Sequence, residues 1–246
     1  MSKIYKALER AEAEVRSGPL ETLRPSNVLA AEPPEIDLPE RREEYAKLKV
    51  MLTLEATRSD FKSVMLVSAL SGEGVSTVSL GLAAAMAEGA RQGVLMLDLN
   101  SASPALAGRL GLMPRLGLGE LLAKEASATE AILESQIPHL FLLGQGRAAP
   151  DFSQPGALHL FEELLKALRS DFDYLIVDGG SLERSPDSLL VASRLDGVVL
   201  VVQAERTGAD TVRDASGQLR AAGATLLGTV LNRRHEYLPD FLSRKL

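Results

Sequence analysis

KSVMLVSALSGEGVST, residues Lys62 to Thr77, joins an apolar run to a glycine-rich loop. Its first half, Lys62 to Ala69, is short, continuous and rich in Val, Met and Leu, the pattern of a strand covered on both faces. Its second half sets Gly72, Glu73, Gly74, Val75, Ser76 and Thr77 at the spacing of a phosphate-binding loop. Gly72 and Gly74 permit close backbone approach, and a helix running from Thr77 to Glu88 would point the loop amides at an anion. Val75 stands where such a loop carries lysine. The plainer alternative is a glycine-rich strand-to-helix turn capped by Ser76, and the loop alone leaves both readings open.

Outward from this stretch, further apolar runs alternate with helical patterns: GVLMLDL, HLFLLG, FDYLIVD, DGVVLVVQA and ATLLGTVLN. That order predicts an α/β fold, a mostly parallel β-sheet flanked by helices, with ligand sites at the carboxyl ends of the strands. Towards the N-terminus, Ile4, Leu8, Ala11 and Val15 recur at helical spacing, so residues 1–16 read as a short amphipathic helix. Residues 17–42 hold Pro19, Pro25, Pro33, Pro34 and Pro39 and read as an extended linker. Residues 43–246 form the α/β domain, opening with the helical segment EEYAKLKVMLTLEATR.

Composition narrows the function classes. A chain of 246 residues with 46% hydrophobic content can bury a sizeable core. A net charge of −6 without a dense Lys/Arg block argues against nucleic acid as a partner. The absence of cysteine excludes disulfides and thiolate metal sites. The longest apolar runs are strand-sized, so no transmembrane segment is expected, and the charged opening MSKIYKALERAE is unlike a secretory signal. A cytoplasmic protein is expected. His139, His159 and His235 fall on separate segments without metal-ligand spacing.

Two carboxylates end apolar runs: Asp98 closes VLMLD and Asp178 closes DYLIVD. Beside a phosphate-binding loop, these are the positions for holding Mg²⁺ or an activated water, although strand-end aspartates also cap turns. With these residues in place, the chain from about Glu43 to Arg233 resembles the bacterial tyrosine kinase (BY-kinase) and polysaccharide co-polymerase ATPases, relatives of the MinD/ParA P-loop proteins. The family loop resembles PGEGKST, against SGEGVST here; its second motif resembles DADLRRP, against DLNSASP at Asp98 to Pro104; its third resembles DTPP, against DGGS at Asp178 to Ser181. GLGELLAKEASATEAI, DGVVLVV and LLGTVLNR are further matches, and MSKIYKALERAE is similar to the start of members that serve exopolysaccharide systems.

The resemblance implies a P-loop NTPase fold, a nucleotide site at Gly72 to Thr77 with Asn232 in an adenine-contacting position, and Mg²⁺ held through Ser76, Asp98 and Asp178. A plain strand-ending loop asparagine is the level alternative for Asn232. The departures fall on the chemistry. Val75 has no charge to offer a terminal phosphate, Asn100 replaces the second aspartate of the DxD motif, and Ala102 and Ser103 replace the arginines after it. Leu70 stands near the place of the deviant MinD-type lysine, Tyr237 is the lone tyrosine where the family kinases carry a tyrosine-rich tail, and Glu43, Ala46 and Lys49 replace an E-x-x-R-x-x-R oligomerisation motif.

The expected protein is therefore a pseudokinase. It would bind ATP or ADP with Mg²⁺ weakly or not at all, with Asp98, Asn100 and Asp178 as vestiges of a catalytic centre. It would work beside an inner-membrane polysaccharide co-polymerase (chain-length) protein or a related kinase, with self-association as a further interaction. Two alternatives stand beside it: an active BY-kinase or ATPase, marked by a compensating Lys or Arg from another segment, and a MinD/ParA-like positioning ATPase, marked by a membrane helix or a DNA-binding patch.

Overall fold

Strand β1 (Ser63–Ser68) is buried along its whole length because it pairs in parallel with β5 (Tyr174–Ser181) on one side and β6 (Gly197–Gln203) on the other. Beyond β5 lie β2 (Val94–Asp98), β4 (Leu140–Leu143) and the short β3 (Ile132–Glu134); beyond β6 lies β7 (Leu226–Asn232). The order is therefore β3-β4-β2-β5-β1-β6-β7, and β3 alone runs antiparallel to its neighbour. The computed structural model describes residues 42–58, 61–147 and 149–234.

Side-chain alternation along the strands builds two apolar layers. Val64 and Leu66 of β1 face a layer completed by α1 (Arg42–Arg58) and α2 (Val75–Ala87), through Tyr45, Leu52, Val78 and Leu82. Met65 and Val67 face the opposite layer, filled by Phe161 and Leu165 of α6 (Ala157–Asp171), Val191 of α7 (Asp187–Ala192) and Leu219 of α8 (Ala209–Ala221). Three short helices, α3 (Leu106–Arg109), α4 (Leu118–Leu122) and α5 (Ala128–Ala131), carry the chain from β2 to β3.

The α1–α2 contact is close because Gly81 lets the Tyr45 ring lie where a Cβ would otherwise stand. Lys49 Nζ then reaches the carbonyls of Ala85 and Glu88 at 2.6 Å each, satisfying acceptors at the C-terminus of α2. Lys49 is thus engaged within the chain, whereas Glu43 and Ala46 are exposed.

The expected mostly parallel sheet is present. α2 begins at Val75, two residues before the expected start at Thr77, because Gly74 in the left-handed conformation (φ 93°) turns the chain into the helix. Ser76 consequently lies inside the first turn and makes no capping hydrogen bond. The antiparallel β3 is not among the expected strands; three residues leave too little pattern to read. The helix expected over residues 1–16, the linker up to Arg41, His235 and Tyr237 lie outside the described residues; Arg42, the last residue assigned to the linker, begins α1. Among the described residues no helix is long and apolar enough to cross a membrane.

Candidate functional site

The sheet brings the loop after β1 and the ends of β2, β5, β6 and β7 to one edge, where the strand order changes direction beside β1. Gly72 (φ 84°) and Gly74 (φ 93°) both take the left-handed conformation that the loop path demands. The amides of Val75, Ser76 and Thr77 open α2 and have no preceding helical turn to donate to. Glu73, by contrast, is fully buried. Its carboxylate accepts hydrogen bonds from Leu70 N (2.8 Å), Gln203 N (3.0 Å) and the Thr207 hydroxyl. Asn232 Nδ2 donates to Glu73 O at 2.8 Å and lies against Gly74, while Asn232 Oδ1 accepts from Arg233 N at 2.9 Å. The loop is braced by β6 and β7 through its own residues, and Asn232 takes part in that brace.

Val75 is 6% exposed and belongs to the apolar layer with α1 and α2. It contributes to packing and presents no donor to an anion.

The carboxylates meet across the sheet. Asp98 and Asp178 are direct register partners on β2 and β5. Asp98 Oδ1 accepts from Asn100 N (3.1 Å) and Asp178 Oδ1 from Gly180 N (3.0 Å), as strand-end aspartates do. Asp178 Oδ2 goes beyond that role: it is a buried acceptor with no hydrogen-bond partner. Burial pushes Asp98 up to about 7, and the charge of Asp178 adds to the rise. Burial likewise raises Asp178, against the nearby Ser76 hydroxyl, the Gly180 amide and the Arg109 guanidinium, which favour its charged form. Two buried acids side by side, one with an unmet oxygen, suit a divalent cation. Among the described residues no group of three or more His, Asp or Glu side chains could hold a metal ion, so Mg²⁺ here would need phosphate and water oxygens in addition to Ser76, Asp98 and Asp178.

Asn100, read from the sequence as a departure from the second motif, is joined here by residues that sequence spacing does not reveal. Asn100 packs its Oδ1 2.6 Å from the position a Cβ would take on Gly180, so it borders the Asp178 turn. Gln145, buried in the loop after β4, lies close enough to Asp98 to favour its charged form, and its Nε2 has no hydrogen-bond partner. Arg109, at the end of α3, donates to Thr77 Oγ1 at 2.9 Å. Arg206 and Arg233 both reach Gln203 Oε1, at 3.3 and 3.1 Å, beside the other end of the loop. Their positions depend on how α3 and the β6–α8 turn fold back, which no local spacing encodes. His139 and His159 are both exposed, on separate elements.

No family profile matches the chain. The tyrosine-protein kinase CpsD of Streptococcus agalactiae is 28% identical over 205 residues, covering 82% of this chain and 87% of CpsD. The succinoglycan biosynthesis transport protein ExoP of Rhizobium meliloti is 30% identical over 178 residues, 71% of this chain and 22% of ExoP. The solved kinase domain of VpsO superposes with a TM-score of 0.66 at 29% identity, covering 82% of this chain and 100% of that domain. The chain is similar to bacterial tyrosine kinases of the BY-kinase type and shares the MinD-like P-loop fold. The septum site-determining protein MinD of Pyrococcus horikoshii, solved with Mg-ADP, shares the fold at a TM-score of 0.57 and 24% identity, over 75% of this chain and 76% of MinD.

Within this BY-kinase-like frame the sequence departures acquire places. Asp98, Asp178 and Ser76 stand together as the family resemblance implies, while Val75 is turned into the core. Ala102 and Ser103 are exposed and bring no charge to the site, but α3 carries Arg109 back to the loop at Thr77. The replacement of the motif arginines by Ala102 and Ser103 stands, and the arginine that reaches the loop comes from the helix after the motif.

Proposed function

We propose that this chain is a Mg-nucleotide-binding, catalytically weakened BY-kinase-like component of exopolysaccharide biosynthesis, acting beside an inner-membrane chain-length protein or a related kinase. Its relatives are bacterial tyrosine kinases and polysaccharide-biosynthesis proteins. The observation that carries the reading is the contrast within one loop: Val75 is packed in the core, while Ser76, Asp98 and an unpartnered Asp178 oxygen remain assembled beside it. The free first-turn amides of α2 suit a phosphate, and Ser76 with the two aspartates would hold Mg²⁺, which neutralises phosphate charge when bound.

Losing one charge-assisted hydrogen bond costs about 1.5–3 kcal/mol, roughly ten- to hundredfold in affinity, which leaves room for binding at millimolar nucleotide. Removing a donor aimed at transition-state charge costs on the order of 10²–10³ in rate, and both Val75 and Asn100 depart from the family here. The second reading, an active kinase or ATPase, draws on Arg109 at Thr77. A phosphate-release assay on Val75→Lys, Asn100→Asp and the double variant separates the two. Val75→Lys should bind Mg-ATP about ten- to hundredfold more tightly yet turn over poorly, and the double variant should exceed both single changes. Family-like turnover by the wild-type protein would establish the second reading instead.

A further inference from the structure

A triphosphate placed in this loop would meet a crowd of acids. Asp98 and Asp178 stand at the helix side, and Glu183 accepts from Ser71 N at 3.1 Å at the loop's start. Backbone dipoles and one Mg²⁺ would face that negative charge without the loop lysine. Two guanidiniums lie where the deficit falls. Arg109 comes from α3 and donates through Nη1 to Thr77 Oγ1, at the helix end of the loop. Arg206 comes from the turn after β6, with Nη1 3.4 Å from the position a Cβ would take on Gly72, at the loop's opposite end. Both side chains are exposed, and neither forms an ion pair with a carboxylate among the described residues. Arg206 is steered by Gln203 Oε1, an acceptor it shares with Arg233, so this second cation does not stand alone.

We propose that Arg109 and Arg206 together replace the missing loop lysine, gripping the phosphate chain of a nucleoside di- or triphosphate from the two ends of Gly72 to Thr77. The inference rests on the nucleotide-binding reading above and names the residues that make it work. A guanidinium suits the task because its planar fork bonds two phosphate oxygens at once, and because its charge persists at any physiological pH. Anchoring on a neighbouring helix and turn, rather than in the loop, frees the position of Val75 to join the apolar layer with α1 and α2.

The test is calorimetric titration of the full chain with Mg-ATP, for wild type, Arg109→Ala, Arg206→Ala and Arg109→Lys, with Arg213→Ala as a surface control on α8. Arg213 is exposed and paired with Asp210, apart from the loop's hydrogen bonds. Each alanine variant at Arg109 or Arg206 should bind about tenfold or more weakly, Arg109→Lys should fall between, and Arg213→Ala should match wild type. Unchanged nucleotide-free melting temperatures would show that the losses are not unfolding. Wild-type affinity in both alanine variants overturns the proposal, and a loss in only one overturns the two-ended grip. Absence of binding by the wild type, seen before any variant is compared, overturns the nucleotide reading and this inference with it.

Discussion

Asp98 and Asp178 concentrate the energetic tension of the molecule into two residues. The folded-state pKa of Asp98, about 7, lies above its ordinary value of 3.8, so the folded chain holds a proton that the unfolded chain releases between those values. Stability from this group is fully present below about pH 4 and is lost as pH rises towards 7. At about 1.4 kcal/mol per pH unit the loss is on the order of 4 kcal/mol. Urea melts at about pH 4.5, 6 and 7.5 should show this decline without nucleotide, and Asp98→Asn should reduce it, the raised Asp178 keeping a slope of the same sign. A slope unchanged by Asp98→Asn would place the titration elsewhere. Both aspartates are legible in sequence because each ends an apolar run. Their proximity is implied by the family resemblance, but local pattern does not give it, since β2 and β5 are distant in the chain and the sheet register sets the two side by side. The burial of Glu73 is equally illegible: a loop glutamate reads as solvated until Gln203, Thr207 and Leu70 are seen around it.

At the scale of elements, the edge opposite the loop is fixed by a polar brace. Asp196, just before β6, accepts from Lys62 N (2.9 Å), Ser63 N (2.8 Å) and Ser63 Oγ (2.9 Å) at the entry to β1, and from Arg169 of α6 at 2.8 Å. Asp196→Ala should destabilise the protein by about 2–3 kcal/mol, because Arg169 and two strand-entry amides lose their acceptor together. Denaturant unfolding measures this, and a change under about 0.5 kcal/mol would show that water replaces the brace. The apolar runs became strands because buried parallel strands carry continuous Val, Leu and Ile, a signal that survives without context. The stretch between β2 and β4 resists reading for the opposite reason. Its short helices lack a long amphipathic repeat: α4 and α5 are held by local caps, such as Glu120 Oε2 accepting from Gly117 N (2.9 Å), and α3 has no side-chain cap.

Across the whole molecule, the parallel sheet gathers elements distant in sequence at one edge: the loop, two acids, a buried amide and two arginines. Under the proposed function, a scaffold this complete around a loop without lysine would bind nucleotide yet turn it over poorly. The most direct measurement pairs calorimetric titration of the wild-type chain with Mg-ATP and a phosphate-release assay on the same preparation, alongside Asp178→Ala. Saturable Mg-dependent binding that Asp178→Ala weakens is expected, with phosphate release no faster than in buffer. Steady ATP turnover abolished by Asp178→Ala, or no binding at any accessible nucleotide concentration, would contradict it.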